Sequence, residues 1–275
     1  MRLRQKLRTL DQNLLQALLA ATVTDLQAAI PGLGETIAFA VKHIFAWVRE
    51  NNPNVYVKGT FDVTHIPKGD PDCRLGVKKS SNQVQPAGSK KVKKVSLFGY
   101  GTGVAACTDP VYGDVVLAEY TLPFNKADVT SYRPLSQRAV MATNQFPTHV
   151  TADAAYDYWY VYETVAHRQG IAAIPLNNQG HEEVPRDPDG TPRCSQGLRM
   201  TPTYQFAHTN GYRAQRFRCP LLFPERTGEV CDHAQFAKGR GCVKDPNWEK
   251  GGLMRALLDR DSPLYHVVYT RAHLL

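Results

Sequence analysis

The spacing of apolar positions changes along the chain, and each spacing predicts a different element. Residues 1–30 repeat leucine at helical intervals, with Leu10, Leu14, Leu15, Leu18 and Leu19 on one face, and Pro31-Gly32 closes the helix. Thr36 to Val48 reads Thr-Ile-Ala-Phe-Ala-Val-Lys-His-Ile-Phe-Ala-Trp-Val, which predicts a buried strand turning helical near its end, and Asn51-Asn-Pro53 stops it. Val55 to Ile66 reads as another extended piece, followed by the turn Pro67-Lys-Gly-Asp-Pro71. Strands are predicted at Cys73 to Lys79, Val95 to Ala106 and Asp114 to Leu122, and then a helix capped by Asp128 or Thr130 running through Met141. Pro147 to Asn177 forms a βαβ unit: a short apolar strand ending on Asp153, a helix to Gln169, and a second buried strand from Gly170. Strands first, with helix and strand alternating afterwards, describe an α/β mixed sheet with helices packed on it. From Asn178 to about Lys250 periodicity fades, and the chain closes with a short helix, Leu253 to Leu258, and a second piece from Pro263 to Tyr269.

Composition narrows the classes. The 275 residues allow one large domain or two small ones, and 43% hydrophobic with 21% charged residues is ordinary for a globular protein. No apolar run is long enough to cross a bilayer. The basic start, Met1 to Arg8, is followed by Asp11, Gln12, Asn13 and Gln16, which predicts a surface helix rather than a signal peptide and a cytoplasmic protein. A net charge of +8 and a pI near 9.2 suit a polyanionic partner. Lys78, Lys79, Lys90, Lys91, Lys93 and Lys94 crowd around Ser80 to Ser89, a composition that predicts a mobile hairpin loop. Such lysines either grip phosphates without reading base sequence or keep a solvated loop soluble.

Asp153 carries the strongest chemical signal. A carboxylate at the C-terminal end of a strand in an open α/β sheet, flanked by Ala152 and Ala154, is placed to hold a divalent metal, and equally to cap the next helix. Asp157, one turn on, caps, faces solvent or supports the site. The segment Thr-Ala-Asp153-Ala-Ala-Tyr-Asp157, its helix and Gly170-Ile resemble the second-aspartate segment of the DDE transposases of bacterial insertion sequences. The resemblance extends through Phe98-Gly-Tyr-Gly-Thr-Gly-Val104, Tyr112 to Asn125, Asp128-Val-Thr130, Cys219-Pro-Leu-Leu222, Cys231-Asp-His-Ala234 and Leu258-Asp-Arg260, covering roughly residues 32 to 270.

That resemblance implies a ribonuclease H-like fold: an N-terminal helical segment at 1–31, the core at 32–177, a cysteine-containing irregular insertion at 178–250, and a C-terminal helical part at 251–275. It also implies Mg²⁺ or Mn²⁺ held by an Asp on the first strand, an Asp on the fourth and a Glu on a later helix, and double-stranded DNA, the element ends, as partner, bound by a monomer or a homodimer. Two such ions clamp the attacking and leaving oxygens of an in-line displacement. Asp153 matches the second position. The first falls on Ala40, which binds no metal, and Asp62 is the fallback within its extended run; Asp70 and Asp72 read as turn residues. The Glu is implied beyond Leu258 to Tyr265, yet no Glu follows Glu249, so the expectation is a truncated, degenerate copy.

Cys194, Cys219, Cys231 and Cys242 share the irregular region with His208 and His233. They predict either a structural Zn²⁺ site, with a histidine as substitute ligand, or four reduced, partly buried thiols; no Cys-x-x-Cys pair is present. Cys73 and Cys107 lie on predicted strands and read as core. Three functions remain: a DDE transposase core, a catalytically inactive nucleic-acid-binding remnant of the same fold, and a ribonuclease H-like nuclease using Asp62, Asp153 and another carboxylate.

Overall fold

The computed structural model describes residues 11–84, 90–109, 111–177 and 184–270. Helix α1 (Gln12–Ala29) leads to β1 (Thr36–Phe45), β2 (Arg74–Val84), β3 (Lys90–Asp109) and β4 (Gly113–Pro123). Helix α2 (Tyr132–Thr143), β5 (His149–Ala152), α3 (Trp159–Ala166) and β6 (Ile171–Ala173) then alternate. The chain continues with β7 (Thr201–Ala207), β8 (Arg213–Arg218), β9 (Val243–Lys244), α4 (Lys250–Leu257) and α5 (Pro263–Thr270). The first six strands form a mixed sheet in the order β2-β3-β1-β5-β6, with β4 on β3, and β7-β8-β9 form a separate sheet. No helix among the described residues is long and apolar enough to cross a membrane.

By internal contacts the chain divides into two units. The first comprises Met1–Pro147, Thr151–Tyr156 and Thr270–Leu275, and the second Thr148–Val150 and Asp157–Tyr269.

In the first unit, β3 is the spine. It pairs antiparallel with β1 along one edge, from Gly99 to Ala106, and with β2 and then β4 in succession along the other. Gly99 sits where these pairings meet. It lies opposite Phe45 of β1 and Arg74 of β2, and its carbonyl accepts the Phe124 N–H at 3.0 Å. A Cβ there would run into the Ile44 carbonyl oxygen, so only glycine lets the strands approach this closely. Beyond Gly99, β2 and the first half of β3 pair only with each other among the described strands, forming a two-stranded arm.

The lysine-rich segment expected as a loop is therefore largely strand. Lys79 lies opposite Lys94, Ser80 opposite Lys93, and Val84 opposite Lys90. Alternation of backbone pairing overrides polar composition once a partner strand lies alongside. The part of that loop at 85–89 lies outside the described residues.

Two further expectations are corrected. Val55 to Ile66 holds turns instead of a strand: Asp62 N–H bonds the Gly59 carbonyl at 2.8 Å and His65 N–H the Asp62 carbonyl at 3.0 Å. Asn and Asp side chains that bond nearby backbone, and the backbone freedom of Gly, favour such turns over a ladder. In α1 Val23 is buried, as is Ile30 just after the helix, whereas Leu14, Leu15 and Leu18 are exposed; Leu10 lies outside the described residues. The helix is tied to α2 by Thr24 Oγ1 donating to the Ala142 carbonyl (3.0 Å), and this contact selects the buried face.

In the second unit, the span predicted as irregular contains the β7-β8-β9 sheet beside a cluster of Cys194, Met200, Phe217, Cys219, Leu221, Leu222, Cys231 and Cys242. Asp157 is buried there, not exposed or capping. It takes Arg255 through Nε (2.8 Å) and Nη2 (2.6 Å), the Tyr162 hydroxyl (2.7 Å) and the Asn177 N–H (2.7 Å). A buried carboxylate persists only with such a complete set of donors.

Candidate active site

The first unit gathers polar side chains where β1 ends, β5 ends and the 3₁₀ turn Asp128–Ser131 enters α2. Gly103 of β3 makes the close approach of that turn available. A Cβ at this position would lie 2.7 Å from Leu135 and 2.8 Å from the Ser131 hydroxyl. On β1, Phe39 packs against Tyr132 with ring centroids 4.7 Å apart, and His43, on the same face by alternation, packs on Phe124 at 4.5 Å.

His43 links a cation to an anion. Lys78 Nζ donates to His43 Nδ1 (3.1 Å), which leaves Nε2 as the protonated nitrogen, 3.9 Å from Asp128 Oδ1. Burial, and then the Lys78 charge, lower the His43 pKa below its usual value, against the opposing pull of Asp128. Burial raises the Asp128 pKa, and the nearby Asp153 carboxylate adds to the rise, while His43 and Lys78 oppose it. The neutral imidazole thus sits between an ammonium and a pair of carboxylates.

Asp153 is exposed, one residue past β5. Its Oδ1 accepts the Ala155 N–H at 2.9 Å, capping the following 3₁₀ turn, and its second oxygen makes no hydrogen bond among the described residues. Capping is therefore present, and one oxygen remains for another ligand. Ala40, half-buried opposite Val104 in an unbroken register, projects from the face of β1 opposite His43.

Asp62 does not share this arrangement's geometry. It is an exposed turn residue whose Oδ1 accepts from both the N–H (2.8 Å) and the hydroxyl (2.7 Å) of Thr64, bonds that lower its pKa. Its assignment to an extended strand is corrected accordingly. Asp70, in the turn before β2, accepts the Tyr100 hydroxyl at 2.6 Å.

Lys78 and Lys94 are exposed on the arm, and the backbones of Lys79, Lys90, Lys91 and Lys93 are paired within it. The four cysteines Cys194, Cys219, Cys231 and Cys242 do meet in one buried apolar cluster. Around them, the Ser195 hydroxyl lies 3.6 Å from Cys242 Sγ and the His233 N–H 3.5 Å from Cys231 Sγ. His208 and His233 each spend Nδ1 on a local N–H, of Asn210 and Gln235. Among the described residues no group of three or more His, Cys, Asp or Glu is arranged to hold a metal ion.

The trio Lys78, His43 and Asp128 is not legible from sequence, where Asp128 reads as a helix cap. Period-two spacing of Phe39, Val41 and His43 is the available signal. The chain matches no family model, no curated protein and no solved structure.

Proposed function

We propose that this chain is the ribonuclease H-like core of a DDE-type DNA transposase whose set of catalytic carboxylates is incomplete, so that it holds double-stranded DNA without cutting it efficiently. One observation carries the reading: β1 and β5 are neighbours in the sheet, and Asp153 follows β5 directly. With the β2 arm set aside, β1, β3 and β4 are three strands of a core continued by helix-linked β5 and β6, so β5 is its fourth strand. Adjacent first and fourth strands are what the reading requires, because carboxylates on the two must converge on one metal pair.

The chemistry stops short of a two-metal centre. Asp128 and Asp153 offer hard oxygen ligands, which suit Mg²⁺ or Mn²⁺, but Ala40 offers none and His43 is a nitrogen ligand turned toward Lys78. These residues do not fit a pair of ions. What remains is phosphate binding by the lysine arm, with affinity that falls steeply with salt.

The test is plasmid nicking in Mg²⁺ or Mn²⁺ beside duplex binding at about 50 and 200 mM salt. Salt-dependent binding without nicking is expected. Robust nicking abolished by Asp153→Ala would show a working site in this chain and overturn the reading of an incomplete one.

A further inference from the structure

The β7-β8 hairpin of the second unit carries an unusual surface. From Thr201 to Arg218 it has three arginines, no acidic residue, and Tyr204, Phe206, His208 and Tyr212 among its side chains. These four form a continuous row: Tyr204 to Phe206 at 6.0 Å between ring centroids, Phe206 to His208 at 6.4 Å, and His208 stacked on Tyr212 at 4.6 Å with planes 3° apart. The row continues to Trp159, 6.0 Å from Tyr212.

The local structure builds this row. A register shift between Pro202 and Gln205 sets Thr203 and Tyr204 against Arg216, with Thr203 Oγ1 donating to the Arg216 carbonyl at 3.1 Å. The Arg216 guanidinium then lies over both the Tyr204 ring (5.3 Å) and the Phe206 ring (5.4 Å), and bonds the Tyr204 hydroxyl at 2.6 Å. Asp245 holds it with two bonds of 2.8 and 2.7 Å. A guanidinium fixed this way orients aromatic rings and is no longer free to serve as a phosphate clamp.

That role falls to Arg213, exposed and without an ion pair among the described residues, which lines a hollow of about 570 Å³ with Phe206, His208 and Tyr212. Glu249, at the rim, is held by the Arg213 N–H at 3.0 Å. Tyr204 remains about half exposed, at 49%.

We infer that this hairpin is a stacking platform for the unpaired bases of single-stranded nucleic acid. Every base presents a π-face, and a row of oriented rings beside unpaired cationic charge takes bases without reading their sequence. Charge complementarity selects a polyanion over an apolar peptide, and the ring spacing selects bases over phosphate alone. The inference rests on the DNA reading only for the kind of polymer, because strand cleavage and joining expose unpaired ends.

The test uses the full chain and fluorescence anisotropy with three labelled probes of equal length: single-stranded oligothymidylate, a fully abasic strand and a duplex. Oligothymidylate is expected to bind about tenfold or more tightly than the abasic strand, since each stacked base contributes on that scale. Combined Tyr204→Leu and Phe206→Leu replacement, which retains apolar bulk, is expected to erase that difference and leave duplex affinity within about twofold.

Equal affinity of the unaltered chain for the two single strands overturns the platform, whatever the variant does. So does a folded variant, by near-ultraviolet circular dichroism, that keeps the preference. Self-association that disappears in the variant, with no base preference in either protein, overturns it by assigning the face to a second copy. Loss of duplex binding alone sinks the proposed function and leaves the platform standing, whereas duplex binding without base preference does the reverse.

Discussion

His43 is the residue whose surroundings say most about the site. Burial and Lys78 lower its pKa below the ordinary 6.5, so acidification protonates the unfolded chain before the folded one. Its contribution to stability is present above pH 6.5 and is lost as pH falls through the lowered folded value. Asp128 works in the opposite sense. Its raised pKa favours the folded state at low pH, and that benefit disappears as pH climbs above 3.8 through the folded value. Lys78→Met removes the second of the causes acting on His43, so an NMR titration is expected to show the imidazole pKa rising toward 6.5. An unchanged titration would mean that Lys78 does not touch His43 in solution. At position 40, Ala40→Asp adds a carboxylate on the face of β1 away from His43 and Asp128. It is expected to leave plasmid nicking at background, and nicking by that single variant would contradict the strand parity.

Elements were legible where their signal was local. The strand after Thr36, the βαβ unit with Asp153 at its turn, and the first closing helix follow from local periodicity and turn residues. The arm was hidden because Ser80 to Val84 carry no apolar alternation, so only the partner strand makes them extended. The buried pair of Asp157 and Arg255 was hidden for another reason: the two residues lie far apart in sequence, and a carboxylate one turn from another reads as surface. Arg255→Ala leaves Asp157 buried and is expected to destabilise the chain by about 3 kcal/mol in denaturant unfolding. A loss under about 1 kcal/mol would show water replacing the guanidinium. Gly103→Ala inserts a methyl group against Ser131 and Leu135, with an expected cost of about 1–3 kcal/mol in the same measurement.

At the scale of the molecule, the +8 charge and the lysine arm define how the proposed DNA binding is tested. Replacing Lys90, Lys91, Lys93 and Lys94 with alanine is expected to weaken duplex binding equally for unrelated sequences. It should also flatten the slope of log K against log salt by about one unit for each phosphate the arm no longer neutralises. An unchanged slope would remove the arm from the interface. Composition carries no sign of the division into two units or of the aromatic hairpin, which depends on a strand register that spacing does not encode. Gly99 has a different kind of consequence. Three strands meet at this one residue, and a methyl group there collides with the main chain of β1, which cannot yield as a side chain can. The position is closed to mutational drift for architectural reasons alone. Selection for a folded chain alone will therefore hold this glycine in place, whatever becomes of the side chains around Asp153.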